Sequence, residues 1–215
     1  MSVSVFLADD HAVVRDGLWA LLNAESDIDV IGDAENGRDA ALQVAQLCPD
    51  IVIMDIAMPV LNGIDATLEL RAVCPSTRVI ILSMHSTTEH VIRALQAGAY
   101  GYLLKDSAGV ELVNAIRTVY AGHRYLSPKI TDSLVDQLVQ QPETIIESPL
   151  MRLSPREREV LQLAVEGKTN AEIAESLSLS IKTVGTYRSR LMIKLDIHDL
   201  PGLVKFAIKH DLTPL

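Results

Sequence analysis

The sequence predicts an α/β doubly wound five-stranded parallel sheet followed by an all-α helix-turn-helix region. Three observations carry this reading. Short aliphatic runs alternate with helix-spaced apolar residues over the first 126 of 215 residues. From Leu153 onward only helical patterns remain. The charge changes with the pattern: residues 1–128 hold 8 Lys/Arg against 16 Asp/Glu, a net of −8, whereas residues 151–215 hold 10 against 8, a net of +2.

The expected strands are Val3–Ala8, Val30–Ile31, Ile51–Met54, Val79–Leu82 and Gly101–Leu104. Ile51-Val52-Ile53-Met54 is continuously apolar, as a strand covered on both faces must be. Helical spacing joins Val13, Val14, Leu18, Leu21 and Leu22, then Ala41, Leu42, Val44, Ala45 and Leu47. It recurs in Ile64, Leu68, Leu70 and Val73, in Val91, Ile92 and Leu95, and in Val110, Leu112, Val113 and Ile116. This first unit spans residues 1–126. Residues 127–149 read as a connection with a candidate amphipathic helix over 130–141, built on Ile130, Leu134 and Leu138 with Val135 and Val139. Gln140–Pro149 has two prolines and no period, so it reads as a linker that lets the two units move.

Composition narrows the class. Apolar residues at 48% and charged residues at 22% exclude wholesale disorder, and 4% aromatics imply aliphatic cores. No apolar run approaches the roughly 20 residues of a membrane span. Met1-Ser2-Val3-Ser4 has no charged region of the secretory kind, so a cytoplasmic chain is expected. Cys48 and Cys74 each precede a proline near an expected helix end, and they read as reduced structural thiols rather than a disulfide or a metal site.

Asp9 and Asp10 follow the first strand and Asp55 follows the third. In the 2-1-3-4-5 strand order those strands are neighbours, and ligands bind beyond their carboxyl ends. Three carboxylates would converge there, and crowded like charges need a cation. Oxygen-only ligands with open positions suit Mg²⁺, which keeps waters and accepts phosphate oxygens. Ser83 ends the fourth strand and Lys105 the fifth. Taken singly, an Asp after a strand is usually a loop residue or a helix cap. Together the groups have the parts for phosphoryl transfer onto a carboxylate.

The final 65 residues read as four helices. Ser154 caps the first, with Pro155 at its first position and Glu157 three after the cap. Asn170 is the expected cap of the second, a turn follows at Ser178-Leu179-Ser180, and Lys182 opens the third. The last runs roughly over Leu200–His210 with Asp199 as its cap. Ile181–Leu195 carries four basic residues and no acidic one, which suits phosphate contacts, although a solvated basic face would look the same. Gly185, Thr186 and Ser189 are the expected base-facing positions. Lys182, Thr183, Arg188, Arg190, Lys194 and Thr169 are the expected phosphate contacts, and Tyr187 and His198 the packing residues.

Asp9-Asp10-His11, Met54-Asp55-Ile56-Ala57-Met58-Pro59 with Gly63, Ser83, and Leu103-Leu104-Lys105-Asp106-Ser107 together resemble the receiver domain of bacterial response regulators, which has a flavodoxin-like fold. Leu153–Glu157, Val160-Leu161, Glu166-Gly167, Thr169-Asn170, Glu172-Ile173-Ala174, Leu177, Ser180, Lys182-Thr183-Val184 and Lys194-Leu195 resemble the LuxR-type helix-turn-helix of NarL/FixJ-type regulators, here spanning 150–215. The first resemblance implies that Asp55 is the phosphoacceptor, that Asp10 binds Mg²⁺ directly and Asp9 partly through water, and that the Ala57 backbone carbonyl is a further ligand. It implies that Ser83 and Lys105 hold the phosphoryl group and that Tyr102 is a switch residue turning inward. His85 and His11 read as a loop residue near the site and a helix-start residue. The resemblance further implies a sensor histidine kinase and promoter DNA as partners, a homodimer on phosphorylation or DNA binding, no membrane, and no enzyme in the usual sense. Gly185 departs from relatives that carry a basic or polar residue there, which predicts weaker direct base readout.

A phosphohydrolase of α/β fold is the rival, but such enzymes commonly place a second acid two residues after the nucleophile, where this chain has Ala57. In the unphosphorylated chain the acidic first unit is expected to cover the basic third helix or the last helix, leaving a mostly monomeric protein.

Overall fold

The computed structural model describes residues 2–140, 148–210 and 212, with the backbone alone at Gln137, Leu138 and Gln140. Most of the proposed linker, residues 141–147, lies outside the described residues.

The first unit runs β1 (Val3–Ala8), α1 (Ala12–Asn23), β2 (Ile28–Ala34), α2 (Gly37–Leu47), β3 (Ile51–Asp55), α3 (Gly63–Val73), β4 (Arg78–Ser83), α4 (Thr88–Ala97), β5 (Gly101–Leu104), α5 (Ala108–Tyr120) and β6 (Tyr125–Leu126). The sheet is parallel throughout, in the order β2-β1-β3-β4-β5-β6. Five strands were expected and six are present. The sixth pairs only Gly101 with Tyr125 and Tyr102 with Leu126, and two half-buried residues leave no apolar run to read.

Alternation along the strands sorts the core into two layers. Phe6, Val52, Met54, Val79 and Ile81 pack under α2, α3 and α4. Val5, Leu7, Ile51, Ile53, Ile80 and Leu82 pack under α1 and α5. The candidate connecting helix exists as α6 (Pro128–Gln140) and starts two residues earlier than expected, with its Ile130 buried in the first layer.

The helical unit contains α7 (Pro155–Val165), α8 (Asn170–Ser176), α9 (Ile181–Leu195) and α10 (Leu200–Lys209). Ser154 caps α7 through a full capping box with Glu157. Thr169, not Asn170, caps α8; it makes the same box with Glu172, which puts Asn170 at the first helical position. Ser180 caps α9, and Asp199 caps α10 by accepting from the Gly202 N–H. Val160, Leu161, Ile173, Val184, Leu191 and Leu203 form the core, and Val60 of the first unit packs against it. His198 is not a packing residue: its side chain is 84% exposed, beside Asp196.

Candidate functional site

The carboxyl ends of β1, β3, β4 and β5 form one pocket. Asp9 follows β1 and Asp55 ends β3, and both are buried. Lys105 Nζ lies 2.7 Å from Asp9 Oδ2 and 2.9 Å from Asp55 Oδ2. The other Asp55 oxygen accepts from the Ile56 N–H at 2.8 Å. Burial pushes the Asp55 carboxyl above its ordinary range, with Asp9 adding to the rise and Lys105 opposing it. Burial alone would lower the Lys105 ammonium, but Asp55 and Asp9 hold it above its usual value. Asp10 is half-buried, and its Oδ1 lies 2.7 Å from Nδ1 of the exposed His11.

Ligand atoms of Asp9, Asp10, His11 and Asp55 all lie within 4.8 Å of one another, so the cluster could hold a metal ion. Asp9 Oδ2 and Asp10 Oδ1 are buried without an aligned hydrogen bond, although Lys105 Nζ and His11 Nδ1 each lie 2.7 Å away. Buried carboxylate oxygens left this way fit a hard cation with oxygen ligands. His11 is the N-cap residue of α1, as expected, and its ring also lies against the cluster.

Ser83 is buried at the end of β4, and its hydroxyl accepts from the His85 N–H at 3.0 Å. Tyr102 is fully buried, its hydroxyl donating to the His85 carbonyl at 2.8 Å. Gly63 is where α3 meets β3. A Cβ there would lie 1.8 Å from the Asp55 carbonyl oxygen, so only glycine permits this closeness.

The segment from Ala57 to Asn62 begins two residues after Asp55, the end of β3, and receives α7. Gln162 accepts from the Asn62 N–H at 2.9 Å and donates to the Met58 carbonyl at 2.9 Å. Glu166 accepts from the Val60 N–H at 3.0 Å. Val60 sits at φ 69°, a left-handed conformation that strains a β-branched residue. Further contacts join the two units: Arg158 pairs with Asp65 at 2.6 Å and Arg38 with Glu159 at 3.2 Å, and His210 Nδ1 lies 2.9 Å from Glu89 Oε1. Of these docking residues the sequence marked only Met58 and Glu166 within motifs, and it gave neither a docking role.

The expected cover over the basic helix is not the arrangement found. Among the described residues no hydrogen bond or ion pair joins α9 to the first unit; α7 and the end of α10 make the contact. Lys182, Thr186, Ser189 and Arg190 are exposed along α9, beside half-buried Thr183 and Gly185. Thr169 is exposed at the start of α8, engaged in its cap. Arg188 donates to Asn170 Oδ1 at 2.9 Å, and Lys194 pairs with Glu157 at 2.6 Å, so both are held within the helical unit. Tyr187 packs against the core as expected.

A doubly wound sheet with an acidic pocket at its switch point, joined through that pocket's own loop to a helix-turn-helix, is the build of a signal-controlled transcriptional regulator. Comparison with known proteins names the family. The chain belongs to the two-component response regulators of LuxR type: residues 5–117 match the response regulator receiver domain, and residues 151–207 match the bacterial regulatory proteins of the luxR family. It is 40% identical over 214 residues to the oxygen regulatory protein NreC of Staphylococcus carnosus, covering 98% of this chain and 99% of that one. The RcsB response regulator of Salmonella typhimurium is 26% identical with a TM-score of 0.60, covering 97% of this chain and 98% of that one. ChrA, from a heme-sensing two-component system, is 33% identical with a TM-score of 0.54, covering 98% of each chain. The family is one of DNA-binding transcriptional regulators rather than enzymes. Among the described residues no helix is long and apolar enough to cross a membrane.

Proposed function

We propose that the chain is a cytoplasmic regulator phosphorylated on Asp55 by a sensor histidine kinase, and that phosphorylation frees its helix-turn-helix for promoter DNA. The observation that carries this reading is Lys105 Nζ set between Asp9 and Asp55 at the carboxyl edge of the sheet. The receiver would be residues 1–126 and the DNA-binding unit 150–215, joined by 127–149.

In the proposed transfer, an Asp55 carboxylate oxygen attacks the phosphorus of a phosphohistidine, the P–N bond breaks, and the imidazole leaves. Lys105 keeps Asp55 ionised in a buried site and then pairs with the phosphoryl oxygens. Ser83 donates to another of those oxygens. Asp9, Asp10, Asp55 and the Ala57 carbonyl would hold Mg²⁺, which neutralises charge between the carboxylates and an anionic donor. Converting the ionised Asp55 carboxylate to an acyl phosphate adds bulk and roughly one further negative charge, if it resembles other phosphoresidues. Ser83 moves toward it, and His85 and Tyr102 follow through their shared bonds.

The same event bears on the Ala57–Asn62 loop, which follows Asp55 in the chain and binds Gln162 and Glu166. Strain at Val60 makes that loop a fitting release point. Once released, two chains pair and place two α9 helices on DNA, with contacts from Thr169, Lys182, Thr183, Gly185, Thr186, Ser189 and Arg190. Arg188 and Lys194 join them where phosphate replaces Asn170 or Glu157 as partner. RcsB has been solved as a DNA complex and as dimers on DNA, which supports the same assembly here.

The test is duplex binding by the full chain with and without acetyl phosphate and Mg²⁺. Tighter binding and dimerisation on phosphorylation are expected, and equal binding in both states would overturn the reading.

A further inference from the structure

Away from the phosphoryl pocket, two thiols meet. Cys48 closes α2 and Cys74 closes α3, and their sulfurs lie 3.1 Å apart. That is about 1 Å beyond the length of a disulfide bond, ~2.05 Å. Cys74 is buried and its thiol points at the Val44 carbonyl, 3.5 Å away. Cys48 is exposed, so a small oxidant reaches it first. Its backbone is left-handed, φ 45°, where glycine or asparagine would be the easier residue.

We propose that Cys48 and Cys74 form a redox modification site that closes to an intramolecular disulfide under hydrogen peroxide. The Cys48 sulfur, as thiolate, attacks one peroxide oxygen; the O–O bond breaks and hydroxide leaves, taking up a proton to become water. Cys48 is then a sulfenic acid. The Cys74 sulfur attacks the Cys48 sulfur, the S–O bond breaks, and the departing hydroxide takes the Cys74 proton as a second water. The two thiols lose two electrons and two protons, and the peroxide gains both. Cys48 is exposed and Cys74 buried, and burial with the neighbouring Cys48 pushes the Cys74 thiol up to about 11, so the first step falls to Cys48 and Cys74 reacts only with the sulfur already beside it.

The ring so closed runs from Cys48 through β3, Asp55, the docking loop and α3 to Cys74. The sulfurs sit where α2 and α3 end, at the opposite edge of the sheet from Asp55, so the phosphoryl pocket stays open. The fastened helices are those that carry Arg38 and Asp65, the partners of Glu159 and Arg158 on α7. Oxidation therefore stiffens the face on which the DNA-binding unit docks.

The test treats the full, reduced chain with a small excess of hydrogen peroxide. Thiols are then counted under denaturing conditions, and intact mass and unreduced peptides are measured. Expected are loss of both thiols, a mass lower by two hydrogens, a Cys48 peptide joined to a Cys74 peptide, and full reversal by dithiothreitol. Cys74→Ser should stop at a Cys48 sulfenic acid that dimedone traps, and Cys48→Ser should leave Cys74 unreacted. Two intact thiols, added oxygen on Cys48 of the unaltered chain without cross-linking, or a disulfide between two chains would each overturn the proposal.

Discussion

Gln162, on the first helix of the DNA-binding unit, accepts two hydrogen bonds from Asn62 of the receiver: one from its backbone N–H at 2.9 Å and one from Nδ2 at 3.1 Å. Both residues are buried, and the Gln162 amide also donates to Met58. A single carboxamide thus reads the backbone of the loop that follows Asp55.

Gln162→Ala should open this contact. It strips acceptors and donors from buried backbone groups, at about 1–3 kcal/mol for each group left unpaired. One such loss shifts the docked-to-open balance roughly tenfold. The variant is expected to bind duplex DNA more tightly than the unaltered chain when no phosphodonor is present. The isolated DNA-binding fragment should do the same. Binding unchanged in both would show that docking does not restrain the regulator, leaving dimerisation as the control.

Asp55→Asn keeps the shape of the acceptor and removes its nucleophilic oxygen. No phosphate should be taken up from acetyl phosphate with Mg²⁺, and a chelator should abolish labelling of the unaltered chain. Labelling of the variant at the ordinary level would place the acceptor elsewhere.

The acidic pocket was legible in the sequence because topology does the gathering: Asp9, Asp55, Ser83 and Lys105 each lie at a strand's carboxyl end, and a parallel sheet brings those ends together. The docking face was not legible. Glu159 and Gln162 are polar residues on an otherwise amphipathic helix, yet both are buried by partners about 100 residues away in sequence. Cys48 and Cys74 illustrate the same limit. Each looks like a lone thiol at a helix end, and only the side-by-side packing of α2 and α3 makes them neighbours. The strand β6 escaped because two residues cannot display a period.

Docking should strengthen as pH falls from neutrality toward the ordinary glutamate value of about 4.5. Burial raises the Glu166 carboxyl when docked, and the bonds from Gln162 and Val60 offset this only in part. Burial raises Glu159 likewise against Arg156 and Arg38. A group with a raised value binds its proton better in the docked state, so its contribution is present at low pH and lost as pH rises through that value. Glu89 runs the other way: burial is outweighed by Ser148 and His210, and its contribution is lost only below its ordinary value. Glu166→Gln keeps the acceptor for Val60 and removes the buried charge. It should lower phosphodonor-free DNA binding at pH 7 by a few-fold and flatten the pH dependence. Stronger DNA binding by this variant would mean that the charge itself secures the contact.

The DNA face offers a contrast between two arginines on one helix. Arg190 is exposed on the same side of α9 as Lys182 and Thr186, whereas Arg188 is tied to Asn170 on α8. Arg190→Ala should weaken binding to all sequences alike and reduce the slope of log affinity against log salt by about one unit, the mark of one lost phosphate contact. Arg188→Ala should lower the slope much less and act chiefly by loosening α8 against α9. Gly185 completes the argument. A Cβ built there meets nothing within 4 Å, so a side chain fits without displacing a neighbour. Gly185→Lys should stabilise the helix by up to about 1 kcal/mol relative to glycine. It also places a cation near the helix start, where base edges are read. Tighter binding, a steeper salt slope and a changed preferred sequence are expected from it. Salt titrations of the three variants on matched specific and random duplexes measure all of this together. An Arg190→Ala protein that keeps its salt slope but changes its preferred sequence would make Arg190 a base-reading residue and move the phosphate contacts to another face of α9.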